Sequence, residues 1–110
     1  MLHCSMNDES VTDRLRDRLE DLAAEIGDAR RRMDLGHLAA LCYCEIRPWA
    51  RRAGERRLAD LSWRLSMQPL PLDRAAFLAQ IDRLIEELEQ TCARAGIEMA
   101  ANTLREARAG

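Results

Sequence analysis

Residues 34–54 read DLGHLAALCYCEIRPWARRAG, and the spacing of their apolar side chains decides the fold. Leu35, Leu38, Cys42, Ile46, Trp49 and Ala53 recur at intervals of three and four, which places them in one apolar stripe along an α-helix. Asp34 and Gly36 open the segment and can cap it, and Gly54 interrupts it. Counting about 100° per residue from Cys44, the stripe clusters on the opposite side of the helix, while His37, Ala40, Leu41, Arg47, Pro48 and Arg51 share the side of Cys44. Cys44 is therefore expected to face away from the core. Pro48 has no N–H for the carbonyl of residue 44, which predicts a bend costing about 3 kcal/mol where neighbours do not compensate.

The same periodicity extends in both directions. Upstream, Leu15, Leu19, Leu22, Ile26, Ala29 and Met33 mark a long helix. Ser10 and Asp13, spaced as a weak capping box, place its start near Ser10. Gly27 inside it costs about 1 kcal/mol relative to Ala and reads as a weak point. Downstream, Leu58, Leu61, Ser62 and Leu65 describe a shorter helix ending before the loop Gln68-Pro69-Leu70-Pro71. Asp73 suits the N-cap of the next, whose stripe is Phe77, Ile81, Leu84, Leu88 and Cys92, with Ile85 beside it and Gly96 to stop it. Ile97, Ala101 and Leu104 keep helical spacing, but charge, small residues and terminal position favour a frayed or short helical extension. No strand alternation or hairpin turn signal appears. The expectation is an all-α chain: an antiparallel four-helix bundle over residues 10–95, a flexible tail over 1–9 and a C-terminal extension over 96–110.

Composition narrows the chemistry. The 110 residues make one domain, with a third of them charged and a net charge of −2. All 17 basic residues are Arg, which excludes lysine Schiff bases and the phosphate-binding lysine of a P-loop. An acidic balance gives no general attraction to nucleic acid. The basic run Arg47, Arg51, Arg52, Arg56 and Arg57, diluted only by Glu55, lacks aromatic interleaving for base stacking. It is either a salt-bridged, solvated face or a patch for an acidic partner. Trp49 falls on its stripe as a packing residue, and Trp63 lies near the edge of its own, half exposed. MLHCSMNDES has no basic stretch followed by an apolar run, and no stretch is apolar enough to span a bilayer, so a cytoplasmic chain is expected. Cys4, Cys42, Cys44 and Cys92 lack the density of a secreted disulfide framework, and Cys42 and Cys44, about 200° apart on a helix, cannot share a metal. No metal or cofactor site is expected, and no Ser-His-Asp pattern or Gly-rich loop argues for hydrolysis or nucleotide chemistry.

Cys44-Glu45-Ile46-Arg47-Pro48-Trp49-Ala50, running to Gly54 and followed by Leu58, Leu61 and Leu65, resembles the phosphorylatable helix of histidine-containing phosphotransfer (HPt) domains. In that family a histidine is followed by a variable residue, Leu, Lys, Gly and small residues, then a second Gly, then a helix with regularly spaced Leu. Aligned from Gly54 backward, Ile46 takes the Leu position, Arg47 the Lys and Ala50 a small-residue position. Met33-Asp34 resembles the Gly-Asp turn that precedes the family's histidine helix, one residue farther away than usual. The likeness covers residues 10 to 95. Cys44 stands where the phosphoacceptor histidine belongs, and Pro48 replaces the Gly beside it.

What the resemblance implies is a signalling module of a two-component phosphorelay without phosphotransfer, docking a response-regulator receiver or a histidine-kinase element. The docking surface would comprise His37, Ala40, Leu41, Cys44, Arg47, Pro48 and Arg51, its short side chains giving contact and its arginines complementing aspartates. The chain is then no enzyme, binds no nucleic acid and no membrane, and is expected as a monomer with a homodimer as the alternative. His37 is the substitute candidate for unusual phosphotransfer. Cys44 beside Arg47 and Arg51 is also a candidate reactive thiol. A second class of function is a helical adaptor or small chaperone acting through a homodimer or client groove. That role would expose Leu78, Ile85 and the segment from Ile97 to Leu104.

Overall fold

The structure, a computed structural model, describes the backbone of residues 2–109 and the side chains of residues 10–109. Met1 and Gly110, and the side chains of His3 and Cys4, lie outside the described residues. Five helices and no strand are present among the described residues. They are α1 (Leu2–Arg31), α2, α3 (Arg56–Met67), α4 (Arg74–Arg94) and α5 (Glu98–Ala109). Helix α2 runs without a break through Leu35–Ala40, a π turn at Leu41–Glu45 and Ile46–Ala53. None of the helices is long and apolar enough to cross a membrane.

Helix ends follow the local chemistry. The Asp34 carboxylate accepts the His37 N–H at 3.2 Å and that of Asp73 accepts the Ala76 N–H at 2.7 Å, each satisfying a donor the first helical turn leaves open. Gly54 (φ 75°) and Gly96 (φ 79°) close α2 and α4 in the left-handed conformation that glycine adopts without penalty. Helix α1 starts at Leu2 rather than near Ser10, so its backbone continues through the segment expected as a tail. Residues 2–9 contain neither Pro nor Gly to stop it.

The stripes meet in one core. Leu19, Leu22 and Ile26 of α1 join Leu38, Cys42 and Ile46 of α2, Leu58, Leu61 and Leu65 of α3, and Ile81, Leu84, Ile85 and Leu88 of α4. Met33, read as the end of the α1 stripe, instead sits past the helix end, exposed, with φ 57°.

The C-terminal segment departs most from expectation. Of the frayed or short helical extension expected there, the helical form is what residues 98–109 adopt, and it is packed as a fifth helix of the fold, with Ala101, Leu104 and Ala107 buried. Helix α5 fills the space between α1 and α4, so the domain does not end near residue 95 and is not a bundle of four helices. Two features make that possible. A Cβ at Gly27 would stand 3.1 Å from Thr103 Cγ2, so the glycine that reads as a weak point in α1 is where α5 approaches. Glu89 on α4, almost fully buried, accepts from Arg105 Nε at 2.9 Å and Arg108 Nη2 at 2.6 Å on α5. Across the bundle, Arg30 of α1 grips Asp82 of α4 with two hydrogen bonds of 2.9 and 3.1 Å, the fork geometry that makes arginine–carboxylate pairs strong.

Candidate functional site

Helix α2 carries the residues singled out from sequence, and its π turn sets their directions. Ile46 N–H donates to the Leu41 carbonyl, five residues back, where an α-helix would use Cys42. The Cys42 carbonyl is satisfied instead by the buried Ser62 hydroxyl of α3, at 2.7 Å. Pro48 leaves the Cys44 carbonyl without its usual amide donor, so the irregularity expected at the proline is a widened turn just upstream.

That turn corrects one assignment. Leu41 is only 3% exposed and belongs to the core, not to the outer face. Phase counted at about 100° per residue fails across a π turn, which rotates the chain less per residue and widens the angle between Leu41 and Cys44. His37, Ala40, Cys44, Pro48 and Arg51 are exposed and Arg47 is half buried, so six of the seven predicted residues reach the surface. Cys44 therefore lies on the outer side of α2, away from the core. Cys42 and Cys92 lie inside it, and burial pushes each thiol up to about 12, out of reach of redox or nucleophilic chemistry at neutral pH. His37 stands in the first turn of α2, its backbone bonded to Asp34 and its ring Nδ1 at 4.0 Å from the Asp34 carboxylate.

The carboxylates nearest the arginine run are turned to other partners. Glu45 pairs with Arg18 at 3.2 Å, Glu55 with Arg94 at 3.1 Å and Asp60 with Arg64 at 3.2 Å. Arg57 makes the one ion pair of the run, with Glu87 at 3.6 Å. Arg47, Arg51, Arg52 and Arg56 have no carboxylate partner among the described residues. Of the two descriptions left open by sequence, the salt-bridged face does not hold for these four.

Sequence spacing missed how these arginines meet an aromatic. The Arg47 guanidinium lies 5.0 Å from the ring centroid of Trp63 on α3, within cation–π range. Trp63 is 50% exposed, and it lines with Arg47, Arg51, Arg56, Arg57 and Asp60 an open groove of about 670 Å3 between α2 and α3. The run is thus not without an aromatic. A signal existed in the offset of Trp63 from the stripe of Leu58, Leu61 and Leu65, but nothing local says that it faces Arg47. On the other flank of Pro48, a groove of about 750 Å3 lies between α1 and α2, with Arg14, Arg18 and Arg52 along it. There Arg18 is already engaged by Glu45 and Glu25. Trp49 is packed below this groove, its indole N–H donating to the Leu15 carbonyl at 2.8 Å. Among the described residues no cluster of three or more His, Cys, Asp or Glu side chains could hold a metal ion.

Compared with known proteins, the chain matches no family model, no curated protein and no solved structure.

Proposed function

We propose that this chain is an HPt-like signalling module that docks the receiver domain of a response regulator without exchanging a phosphoryl group. The observation that carries the reading is the outward face of α2. An exposed Cys44 stands at the position the resemblance gives to the phosphoacceptor, next to Ala40 and Pro48, with Arg47 and Arg51 free of carboxylate partners among the described residues. A thiol there does not provide the imidazole that aspartyl phosphotransfer in this family requires. The arginines keep the attraction for the acidic rim of a receiver. Met33 supports the alignment independently, because its φ of 57° is a conformation glycine favours, and glycine is the residue the resemblance places there.

The adaptor or chaperone alternative requires apolar surface at Ile85 and along Ile97 to Leu104. Ile85, Ile97, Ala101 and Leu104 are buried and Leu78 is half buried, which leaves Met99 as an isolated exposed apolar side chain in that segment and weighs against a continuous groove. The direct test is to mix the protein with phosphorylated receivers from its own genome and follow both binding and the phosphoryl group. Binding without transfer is expected, weakened by Arg47→Ala and Arg51→Ala. Transfer that persists in Cys44→Ala and vanishes in His37→Ala would replace docking with an unusual phosphotransferase.

A further inference from the structure

We infer that the groove between α2 and α3 receives an acidic segment of the partner protein, with its carboxylates on Arg51 and Arg56 and an apolar side chain against Trp63. The inference rests on the docking reading for the partner being a protein, and it adds α3 residues to a surface that sequence placed on α2 alone.

Charge complementarity names the occupant. Four guanidinium groups line one groove; Arg57 is paired with Glu87 and the lining acid, Asp60, is held by Arg64, which leaves Arg47, Arg51 and Arg56 without a carboxylate partner among the described residues. Arg47 and Arg51 are one helical turn apart, a like-charge spacing that destabilises a helix unless something compensates it. The surrounding acids do not compensate, because Glu45 and Glu55 reach away to Arg18 and Arg94. An anion supplied from outside is the missing partner. The shape selects among anions. The groove is open to solvent rather than enclosed. An open trough holds an extended segment with several separated charges better than it encloses a small ligand. The half-exposed indole, with Arg47 against its ring, brings together two of the residue types in which interface hot spots are enriched. Planar guanidinium groups match carboxylates by paired hydrogen bonds, so Arg rather than Lys suits this role.

Trp63 is also the reporter. The chain's other tryptophan, Trp49, is buried and hydrogen-bonded, so a ligand in the groove changes the emission of Trp63. The full chain is titrated with a synthetic peptide of alternating Asp and Glu around a central Leu, with the same peptide carrying Lys for each acid, and with ATP and inorganic tripolyphosphate, at low and high salt. The acidic peptide is expected to shift the emission, to bind more weakly in high salt and to lose about tenfold in affinity in Arg51→Gln/Arg56→Gln. The lysine peptide should leave the spectrum unchanged. Because both arginines are exposed, the double variant keeps its fold, which circular dichroism verifies. No spectral response to the acidic peptide, or an equal response in the double variant, overturns the inference. Tighter binding of ATP or tripolyphosphate than of the peptide also overturns it and makes the groove a phosphate site. The two readings fail separately. Receivers that bind while the peptide does not would leave docking intact and empty the groove. A peptide that binds while no receiver does would keep the groove and remove the phosphorelay partner.

Discussion

The seam where α5 meets α1 and α4 and the outer face where α2 meets α3 are built from the same residue types and treat them in opposite ways. At the seam, Arg105 and Arg108 converge on one nearly buried carboxylate, Glu89, and Ala101 and Leu104 are fully buried. At the α2–α3 face, Arg47, Arg51 and Arg56 line a groove without a carboxylate partner among the described residues, and Trp63 is left half in water. Charge satisfied inside the chain holds helices together, whereas charge left unsatisfied beside an exposed aromatic is available to something else. On the proposed reading, the contrast separates residues that hold the fold from residues open to a partner, and it can be broken by mutation.

The largest effect belongs to the seam. Leu104→Ala removes a fully buried side chain and is expected to cost about 2–5 kcal/mol in urea unfolding. A loss under about 0.5 kcal/mol, the size of an ordinary surface change, would restore α5 to a loose extension and dissolve the comparison.

Next in size, taken over the first pH unit above 9, is an alkaline transition driven by the two core thiols. The Cys42 thiol is pushed by burial from 9.0 up to about 12, with Asp82 adding to the shift. Above pH 9 the unfolded chain therefore gives up a proton that the folded chain retains, so the unfolded state binds fewer protons and stability falls as pH rises. The slope is about 1.4 kcal/mol per pH unit for each such thiol, running from near 9 towards 12, and Cys92 contributes in the same direction. Urea midpoints measured at a series of pH values should show the fall, and Cys42→Ala should make it shallower. In a Cys4→Ser background, iodoacetamide at mild pH should modify Cys44 alone. Rapid labelling of Cys42 would mean that the π turn opens in solution.

Ser62→Ala tests what holds that turn in place. It leaves the Cys42 carbonyl without its donor in a dry environment, at an expected cost of about 1–3 kcal/mol. If the helix responds by closing to a regular α turn, Leu41 rotates towards the surface and Cys44 changes its exposure, which labelling rates report. Unchanged stability and labelling would mean that the π turn depends on Pro48 alone.

These cases show where sequence reading succeeds and stops. The stripes of α1 to α4, the caps at Asp34 and Asp73 and the stops at Gly54 and Gly96 are legible because each depends on residues within one or two turns. The helical spacing of Ile97, Ala101 and Leu104 is legible too, but the packing of α5 into the core is not, because its reasons are distant. Arg105 and Arg108 look like exposed terminal charge until Glu89, 16 and 19 residues away, comes to meet them, and Gly27 looks like a defect until Thr103 lies against it. The misplacement of Leu41 has the same origin, since the hydroxyl that supports the π turn is 20 residues downstream of Cys42. The outward position of Cys44 survives because the half-turn between it and the stripe exceeds the error that one π turn introduces. The Arg47–Trp63 contact joins two helices and has no local signal.

The smallest effect is the most discriminating one for the outer face. If Arg51 serves only solubility, replacing it leaves stability and binding alike untouched. If it is held in a like-charge cluster for a partner, Arg51→Gln relieves repulsion with Arg47, one turn away, without breaking any ion pair. The expected gain is a few tenths of a kcal/mol, about 0.2–0.5, larger at low salt and vanishing at high salt as screening removes the repulsion. Thermal melts in the two salts resolve it, because a small helical domain moves by about 4–8 °C per kcal/mol. A variant that is slightly more stable yet binds acidic ligands less well identifies Arg51 as a residue retained against the interest of the fold. A loss of stability instead would show that Arg51 has a structural partner, and would place the α2–α3 face in the same class as the α5 seam.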